Sequence, residues 1–401
     1  MKRISILKNP VQNYAWGSRT FIQQLMGDPV SADKPQAELW MGVHPKAPSQ
    51  VLYNSEWISL SEFIRKDPES ILGEGVAQKF SNKLPFLFKV LAAAKPLSIQ
   101  AHPNRVQARE GFARESEMKI SMDAPNRNYR DENQKPEMIC ALTPFWVLSG
   151  FRRIDDVIEL AERIGAPALN DKVLPLRGQP EAESLKEFFT TLMKMDKGPQ
   201  RQLVSQVVDY SERPSATHGI LEWVIKLHQA YPGDIGVLSP IFMNVLRLEP
   251  GEALYTPTGR LHAYLEGAGM ELMANSDNVL RGGLTAKNID LPALLKILNF
   301  THNKVDKLEP ERRQGGESIY RTPAKEFSLS VISVGKGSLF ESPRKRSVEI
   351  MACLEGDALV TDLGNEEDFS LSKGAVIIIP ASVKNYRIEG DATLYKASVP
   401  P

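Results

Sequence analysis

The sequence predicts a mainly β protein with two jelly-roll domains and an inserted α-helical domain. Short apolar runs bounded by turn residues, a pattern typical of strands, occupy about the first 150 residues. Apolar residues then recur at helical spacing as far as about residue 234. Strand patterns return after that point, and a last β region extends from about Ser328 to Ser398. The predicted units are residues 1–150 with 235–305, residues 151–234, and residues 306–401.

The first unit is predicted to consist of short strands with one early helix. Its strands are expected over residues 12–17, 37–42, 86–91 and 97–103. A helix is expected over residues 59–65, where Ser59 can be the N-cap and Glu62 completes a capping-box pattern. A strand over residues 240–248 then resumes the unit beyond the insertion.

The inserted unit is predicted to hold about four helices separated by prolines. They are expected over residues 154–164, 181–195, 201–210 and 219–231. The second helix carries one apolar stripe, as a packed helix face requires, formed by Leu185, Phe188, Phe189, Leu192 and Met193. His218 and His228 belong to this unit and are expected at the surface or in packing contacts, not at a metal.

An internal repeat indicates what kind of β-domain flanks the helices. Residues 248–257 resemble residues 371–380, since each copy has a glycine turn, an apolar strand and a proline, the pattern of a cupin hairpin. The first copy continues to His262, whereas the second continues through residues 381–385 without a histidine. We therefore expect two cupin domains, of which only the first holds a metal. C-terminal strands are predicted over residues 349–354, 358–361, 375–379 and 393–397.

The composition of the 401 residues argues against several classes of function. Basic and acidic residues balance to a formal net charge of zero, so no global field attracts nucleic acid or an anionic membrane. The sequence has neither a signal-peptide pattern nor a stretch of transmembrane length. Cys140 and Cys353 have apolar neighbours and are expected to be buried free thiols, which fits a cytoplasmic protein.

Candidate metal ligands are few because the sequence contains only six histidines. Two of them belong to the helical unit, and His302 follows residues 299–301, which have the character of a mobile loop. His44, His102 and His262 therefore remain as candidates in the β-domain.

Gln100 and His102 are two apart on a predicted strand and so project from the same face. With Glu137 and His262 they could form a mixed nitrogen and oxygen shell, of the kind a catalytic zinc site uses. Alone, a Gln-x-His pattern more often marks a hydrogen-bonded strand histidine, and a single glutamate is more often solvated. Both interpretations stay open on the residues themselves.

Two longer motifs resemble the signatures of type I mannose-6-phosphate isomerases. Residues 129–137 read YRDENQKPE, and residues 262–267 and 271–287 read HAYLEG and ELMANSDNVLRGGLTAK. The resemblance extends over about residues 10–300. It implies a cupin-superfamily aldose–ketose isomerase that interconverts mannose 6-phosphate and fructose 6-phosphate, with one Zn²⁺ per chain.

The resemblance also assigns roles to individual residues. It places the zinc ligands on Gln100, His102, Glu137 and His262. It places the family's essential arginine on Arg281, which could stabilise an oxyanion or clamp a phosphate. Lys135 and Lys287 fall on positions that face the sugar phosphate.

Three further residues are weighed on their own chemistry. Asp277 is the nearest carboxylate in the second motif and could be a general base, although capping a turn would explain it equally well. Trp16 and Lys89 are expected to line the substrate pocket, with core packing the stronger alternative for Trp16. We expect a monomer that binds a hexose 6-phosphate.

The chain departs from the family pattern at Gln134, Gly282 and Ala286, where relatives usually carry histidine, alanine and proline. Gln134 cannot exchange a proton. If the histidine that relatives carry at this position assists ring opening, another group must do so in this protein. The other two changes loosen the backbone. A non-catalytic sugar-phosphate sensor therefore stays an alternative, as does another cupin metalloenzyme such as an iron dioxygenase.

Overall fold

Two antiparallel sheets and a block of helices make up residues 3–27, 31–216 and 219–400, which this computed structural model describes. The first part contains β1 Ser5–Lys8, β2 Val11–Gln12, α1 Phe21–Leu25, β3 Glu38–Gly42, β4 Gln50–Tyr53, β5 Glu56–Ser59, α2 Leu60–Lys66, α3 Pro68–Leu72, α4 Glu74–Lys79, β6 Phe86–Ala93, β7 Ile99–Ala101, α5 Arg105–Glu117, β8 Glu137–Ala141 and β9 Phe145–Phe151. The middle part contains α6 Ile154–Ile164, α7 Pro167–Gly178, α8 Ala182–Met193, α9 Lys197–Ser211, α10 Ile220–Ala230, a 3₁₀ turn Ile235–Leu238, α11 Ser239–Phe242, β10 Met243–Leu248, β11 Ala253–Thr256, β12 His262–Ala274, β13 Leu280–Gly283 and α12 Leu291–Ile297. The last part contains β14 Glu311–Arg312, a 3₁₀ turn Gln314–Gly316, β15 Glu317–Tyr320, β16 Ser328–Val334, β17 Leu339–Glu341, β18 Glu349–Asp362, β19 Glu367–Ser372, β20 Val376–Ile379 and β21 Tyr386–Ser398.

The long strand β12 organises the first sheet. It pairs with β6 and β8 along its second half and with β7 and β9 near its start, so it brings four distant segments together. Apolar side chains on the inner face form a core that includes Leu91, Ile139 and Tyr264. This mainly β architecture with a helical insertion is the predicted fold class.

The second sheet is built around the antiparallel pair β18 and β21, whose register runs from Glu349↔Ser398 to Asp362↔Tyr386. The N-terminal strand β1 pairs with β20 of this sheet and also with β4. The start of the chain therefore joins the two β regions, which the sequence pattern did not indicate. The domain limits given above stay predictions.

Several local predictions need correction. The described residues of the insertion, 151–216 and 219–234, form five helices and not four, because α7 begins at Pro167 and tolerates Pro175 within it. Ser59 caps α2 without a side-chain bond, since its hydroxyl lies 2.7 Å from that of Ser61 instead. Residues 240–248 begin as the short helix α11 before β10 starts.

Three other features also differ from the sequence pattern. One continuous strand, β18, replaces the two short strands predicted over residues 349–361. The 13-residue helix α5, capped by Asn104, was not predicted. Phe300 stacks on Phe151 with ring centroids 5.1 Å apart, so the segment before His302 is anchored in the core.

Candidate metal centre

Three strands bring the three donor side chains together inside the first sheet. Glu137 begins β8 and His262 begins β12, while His102 directly follows β7. Glu137 Oε1 lies 2.8 Å from His262 Nε2, and Glu137 Oε2 lies 3.2 Å from His102 Nε2. All three side chains are buried, and one donor atom from each lies within 4.8 Å of the others. This is the geometry of a divalent metal site.

Backbone carbonyls fix the orientation of both imidazoles. His102 Nδ1 lies 2.8 Å from the Asn278 carbonyl oxygen, and His262 Nδ1 lies 3.0 Å from the Arg260 carbonyl oxygen. Because a carbonyl only accepts, each Nδ1 carries the proton and each Nε2 keeps its lone pair toward the centre. Such support by outer hydrogen bonds is typical of metal-ligating histidines. The donor set fits zinc.

Gln100 lies on the same face of the sheet as His262. It is directly opposite His262 in the β7–β12 pair, and paired residues in antiparallel strands project from the same face. Its other neighbour in the sheet is Arg281 on β13. The structure therefore places the predicted ligand Gln100 and the predicted active-site residue Arg281 beside the three donors.

Lys135 lies closer to the metal donors than a purely phosphate-facing role would require. Its Nζ is 3.2 Å from His102 Nε2 and 3.2 Å from Glu137 Oε2. Burial alone would raise the pKa of Glu137, but the charge of Lys135 and the contacts with His262 and His102 outweigh it and hold that pKa well below its usual range. Burial, followed by the Lys135 charge, lowers the pKa of His102 to about 4, so this imidazole is neutral and available as a ligand.

A buried network next to the donors was missed in the sequence. Glu271 on β12 accepts a hydrogen bond from Lys89 Nζ at 2.7 Å, and Glu38 lies 3.5 Å from the same ammonium. Burial raises the pKa of Glu271. Burial would lower the pKa of Lys89, but the Glu271 and Glu38 carboxylates reverse the effect and raise it. Tyr264 links this network to the metal site through a 3.3 Å hydrogen bond from its hydroxyl to Glu137.

One sequence signal could have revealed this network. Lys89 is the single charge of Phe86–Ala93, and Glu271 is the single charge of residues 268–274, the buried second half of β12. Buried Lys and Glu are rare unless they are paired. Two such interruptions in two buried strands therefore favour an ion pair, but only the strand pairing shows that the partners are these two residues.

His44 does not join the metal donors and instead pairs with Asp277. Its Nε2 lies 3.1 Å from one carboxylate oxygen of Asp277, and Lys46 Nζ lies 3.0 Å from the other. Burial alone would raise the pKa of Asp277, yet the His44 and Lys46 contacts outweigh it and hold that pKa well below its usual range. All three residues line a cavity of about 800 Å³.

Arg281 and Lys287 have no carboxylate partner among the residues that the structure describes. Burial and then the Arg130 charge lower the pKa of Arg281. The pKa of Lys287 is lowered by burial, Arg281, Arg130 and Lys46, in that order. This collection of unneutralised positive charges suits an anionic ligand.

Two other residues considered in the sequence, Trp16 and His228, lie outside the cluster of metal donors. Trp16 is half-buried, packs against the inner core and stacks on Tyr14 with ring centroids 5.6 Å apart. His228 belongs to α10, outside the metal centre, and His218 lies outside the described residues.

The three departures from the family pattern lie away from the donors. Gln134 turns to the C-terminal region, where its amide nitrogen donates to Glu326 at 2.9 Å. Gly282 packs closely, since an added Cβ would lie 3.1 Å from the Leu261 side chain. Ala286 is exposed. Within the described structure, Gln134 therefore does not face the metal centre.

Two histidines and a glutamate inside an antiparallel barrel define a metal-dependent enzyme of the cupin class. Family models match three parts of this chain. Residues 4–154 match the catalytic domain and residues 166–243 the helical insertion domain of type I phosphomannose isomerase. Residues 318–399 match the mannose-6-phosphate isomerase cupin domain. The chain belongs to the type I phosphomannose isomerase family.

Individual relatives agree with this assignment over nearly the whole chain. Mannose-6-phosphate isomerase of Escherichia coli is 38% identical over 390 residues, which covers 97% of each chain. The Homo sapiens mannose-6-phosphate isomerase is 35% identical and covers 95% of this chain and 94% of its own. Crystal structures of a Salmonella typhimurium phosphomannose isomerase variant and of a zinc-bound mannose 6-phosphate isomerase superpose with TM-scores of 0.92 and 0.90, each at 35% identity and with full coverage of both chains.

Proposed function

We propose that this chain is a zinc-dependent isomerase that interconverts mannose 6-phosphate and fructose 6-phosphate. The observation that carries the proposal is the cluster of His102, Glu137 and His262, with donor atoms within 4.8 Å of one another. Arg281 is a sheet neighbour of Gln100, which in turn is opposite His262. Membership of the phosphomannose isomerase family supports the same activity over a sensor or an iron dioxygenase.

Gln100, His102, Glu137 and His262 are the proposed ligands of one zinc ion. Bound zinc would supply Lewis-acid polarisation of the sugar oxygens and a template for the open chain. The two imidazoles are held in the required tautomer by the carbonyls of Asn278 and Arg260. The remaining steps are assigned below to side chains of this chain.

The isomerisation moves one proton from C2 to C1 of the open sugar and another from the C2 hydroxyl to the carbonyl oxygen at C1. Lys135, beside the donors, is proposed to stabilise the negative charge that develops on these oxygens. Glu271 is proposed to carry the proton between carbons, because a buried carboxyl with a raised pKa is better matched to that task near neutrality. Asp277 stays a catalytic candidate, and its contacts with His44 and Lys46 favour a charged, positioned carboxylate.

Arg281 is proposed as a catalytic residue whose permanent charge stabilises an oxyanion or clamps the phosphate. The other predicted residues are assigned to substrate binding, and Lys287 is proposed to hold the phosphate group. Lys89, held by Glu271, and Trp16, on the inner core, are proposed to shape the wall of the pocket.

The test is turnover of mannose 6-phosphate before chelation, after chelation and after zinc is restored. We expect turnover to be lost on chelation and recovered with zinc, while a sample carried through the same steps without chelator keeps its rate. Undiminished turnover in a fully metal-free sample would overturn the zinc role. Absence of turnover in the zinc-loaded protein would overturn the activity itself.

We also propose a cytoplasmic monomer that acts in mannose metabolism. All the site residues come from one chain, and the two cysteines are free and buried, as a reducing compartment allows. In the part of the chain that the structure covers, every helix is too short or too polar to cross a bilayer. The proposed domains keep the limits of residues 1–150 with 235–305, residues 151–234, and residues 306–401.

A further inference from the structure

Arg130 is held in place by a buried asparagine from a second loop. Asn278 is fully buried, and its Oδ1 accepts hydrogen bonds from the backbone N–H of Arg130 at 2.6 Å and of Asp131 at 3.1 Å. Its amide nitrogen donates to the carbonyl oxygens of Asp131 and Asn133 at 2.8 and 2.9 Å. The same asparagine supplies the carbonyl that orients His102, so the position of Arg130 is tied to the metal centre.

The carboxylate next to Arg130 in the chain is already occupied. Asp131 accepts one hydrogen bond from the Ser276 hydroxyl and one from the backbone N–H of Asp277, both at 2.8 Å. No carboxylate in residues 3–27, 31–216 and 219–400 lies within ion-pair distance of the Arg130 side chain. The half-buried guanidinium thus keeps its hydrogen-bonding capacity.

Arg130 belongs to the same cationic group as Arg281 and Lys287. Its backbone is bound to Asn278, only three residues before Arg281, and its side chain lines the cavity that Lys46 also lines. The positive charge of Arg130 reaches both Arg281 and Lys287, since it contributes to lowering the pKa of each. Three like charges held together without a counterion favour a ligand with more than one negative charge.

We propose that Arg130 is a third contact for the phosphate group of the substrate and determines the preference for the doubly charged ester. The inference rests on the proposed function and gives a role to Arg130, a residue of the first motif to which the family resemblance assigned none. Arg130, in the loop before β8, adds a third positive charge to those of Arg281 and Lys287. Its side chain binds the unreactive end of the sugar, so its contribution is to substrate binding rather than to the chemical step.

The main test is the zinc-loaded Arg130→Gln variant. We expect the KM for mannose 6-phosphate to rise roughly tenfold or more, with kcat within about threefold, because loss of one charge-assisted contact weakens ground and transition states alike. Inorganic phosphate, used as a competitive inhibitor, should lose affinity by a similar factor. Arg130→Lys, which keeps the charge, should restore part of both affinities.

A matched control separates a specific contact from the general charge of the cavity. Lys83 lines the same cavity but does not contribute to the pKa shift of Arg281 or Lys287. Lys83→Gln should therefore leave the KM and the inhibition constant of phosphate within about twofold. Equal effects of the two substitutions would overturn the specific role of Arg130.

The pH dependence of KM distinguishes a phosphate contact of Arg130 from a purely structural role, because a structural role would not change with the charge of the substrate. A phosphate monoester gains its second charge around pH 6. The ratio of KM between Arg130→Gln and the parent protein should therefore be larger at pH 8 than at pH 6. A ratio that does not change, or an unchanged phosphate affinity in an active enzyme, would overturn the inference. Absence of parent activity on mannose 6-phosphate would instead overturn the proposed function, while phosphate binding could still be measured directly by calorimetry.

Discussion

The two β-domains differ in the charged and metal-donor side chains that they bury. In the first, His102, Glu137 and His262 converge with their lone pairs directed at one point, and the nearby Arg281 has no carboxylate partner in the described structure. In the second, Lys396 Nζ lies 2.8 Å from Glu317 and 3.3 Å from Glu349. The second barrel has its buried Lys396 neutralised by its own carboxylates, whereas the first has, beside the paired Lys89, a cluster of potential metal donors.

The strand register explains why Lys396 occupies the interior. Lys396 is directly opposite Met351 on β18, and Met351 belongs to the inner core of this domain. Glu349 is two residues earlier on β18 and so faces the same side. Arg346 Nη1, 3.3 Å from Glu349, adds a second internal cation. Both barrels therefore contain buried ion pairs, and the first is distinguished by the cluster of two histidines and a glutamate that lies beside its own pair of Lys89 and Glu271.

The largest effect that the comparison predicts is loss of the metal from the first barrel. His262→Ala should abolish stoichiometric zinc binding and reduce turnover by orders of magnitude, because one of the convergent donors is removed. Metal analysis and a turnover assay measure both effects. The C-terminal domain should keep its fold, since its buried charges are paired without zinc. A variant that keeps one zinc per chain would contradict the ligand assignment.

The second prediction concerns Arg281, which has no carboxylate partner among the described residues. Arg281→Ala should reduce kcat/KM roughly 10²–10³-fold while the zinc content stays at the parent level, because a fixed charge at the site is lost but no metal donor is. Steady-state kinetics on protein of known zinc content test this. His228→Ala, outside the metal centre on α10, is the control and should behave like the parent. Near-parental kinetics for Arg281→Ala would remove this residue from the proposed site.

A substitution of the buried lysine in the second barrel should lower the stability of the protein without changing its turnover. Lys396→Met leaves Glu317 without its cation and Glu349 with Arg346 alone, so we expect the free energy of unfolding to fall by about 3–5 kcal/mol. Denaturant unfolding measures the change, and turnover per folded, zinc-loaded molecule should stay at the parent value. Lys336→Met, an exposed lysine of the same domain, is the matched control. If both lysine variants unfold at the parent midpoint, internal neutralisation does not stabilise this barrel.

The smallest expected effect concerns the family departure at residue 134. Because Gln134 bonds to Glu326 and does not face the metal donors, Gln134→His should change kcat/KM by no more than about twofold. The same steady-state assay is sufficient. A large gain in kcat for the histidine variant would show that residue 134 reaches the substrate after all, and would sharpen the contrast between the two barrels by extending the first site.

Much of the fold could be predicted because it follows from local periodicity. Helix α6 has the predicted limits Ile154–Ile164, and α8 carries the predicted apolar stripe. Predictions of secondary structure failed where tertiary packing overrode a local sequence preference. Pro175 inside α7 is tolerated within a helix whose Leu169, Val173 and Leu176 are buried.

The site was predicted only in part for a related reason. The structure brings the predicted donors His102, Glu137 and His262 into one cluster, whereas His44, another candidate in the sequence, pairs with Asp277. Glu271 was not selected, although it contacts Lys89 across the sheet. A strand pattern shows which residues share a face, but not which distant strand lies beside it.

The sequence by itself determined the chemical groups of this protein: the strand and helix periods, the metal-donor residues and the motifs of the family. Only the tertiary structure decided which groups meet. Glu137 is opposite Met273 and Thr256, whereas His262 is opposite Gln100 and Ser149, so these two donors meet across the interior only because the strands close into one barrel. The side chain of Gln134, one residue from Lys135, instead bonds to Glu326. The physical reason is that side-chain direction is set over two residues of a strand, whereas charge neutralisation and metal geometry depend on segments that only the completed barrel brings together.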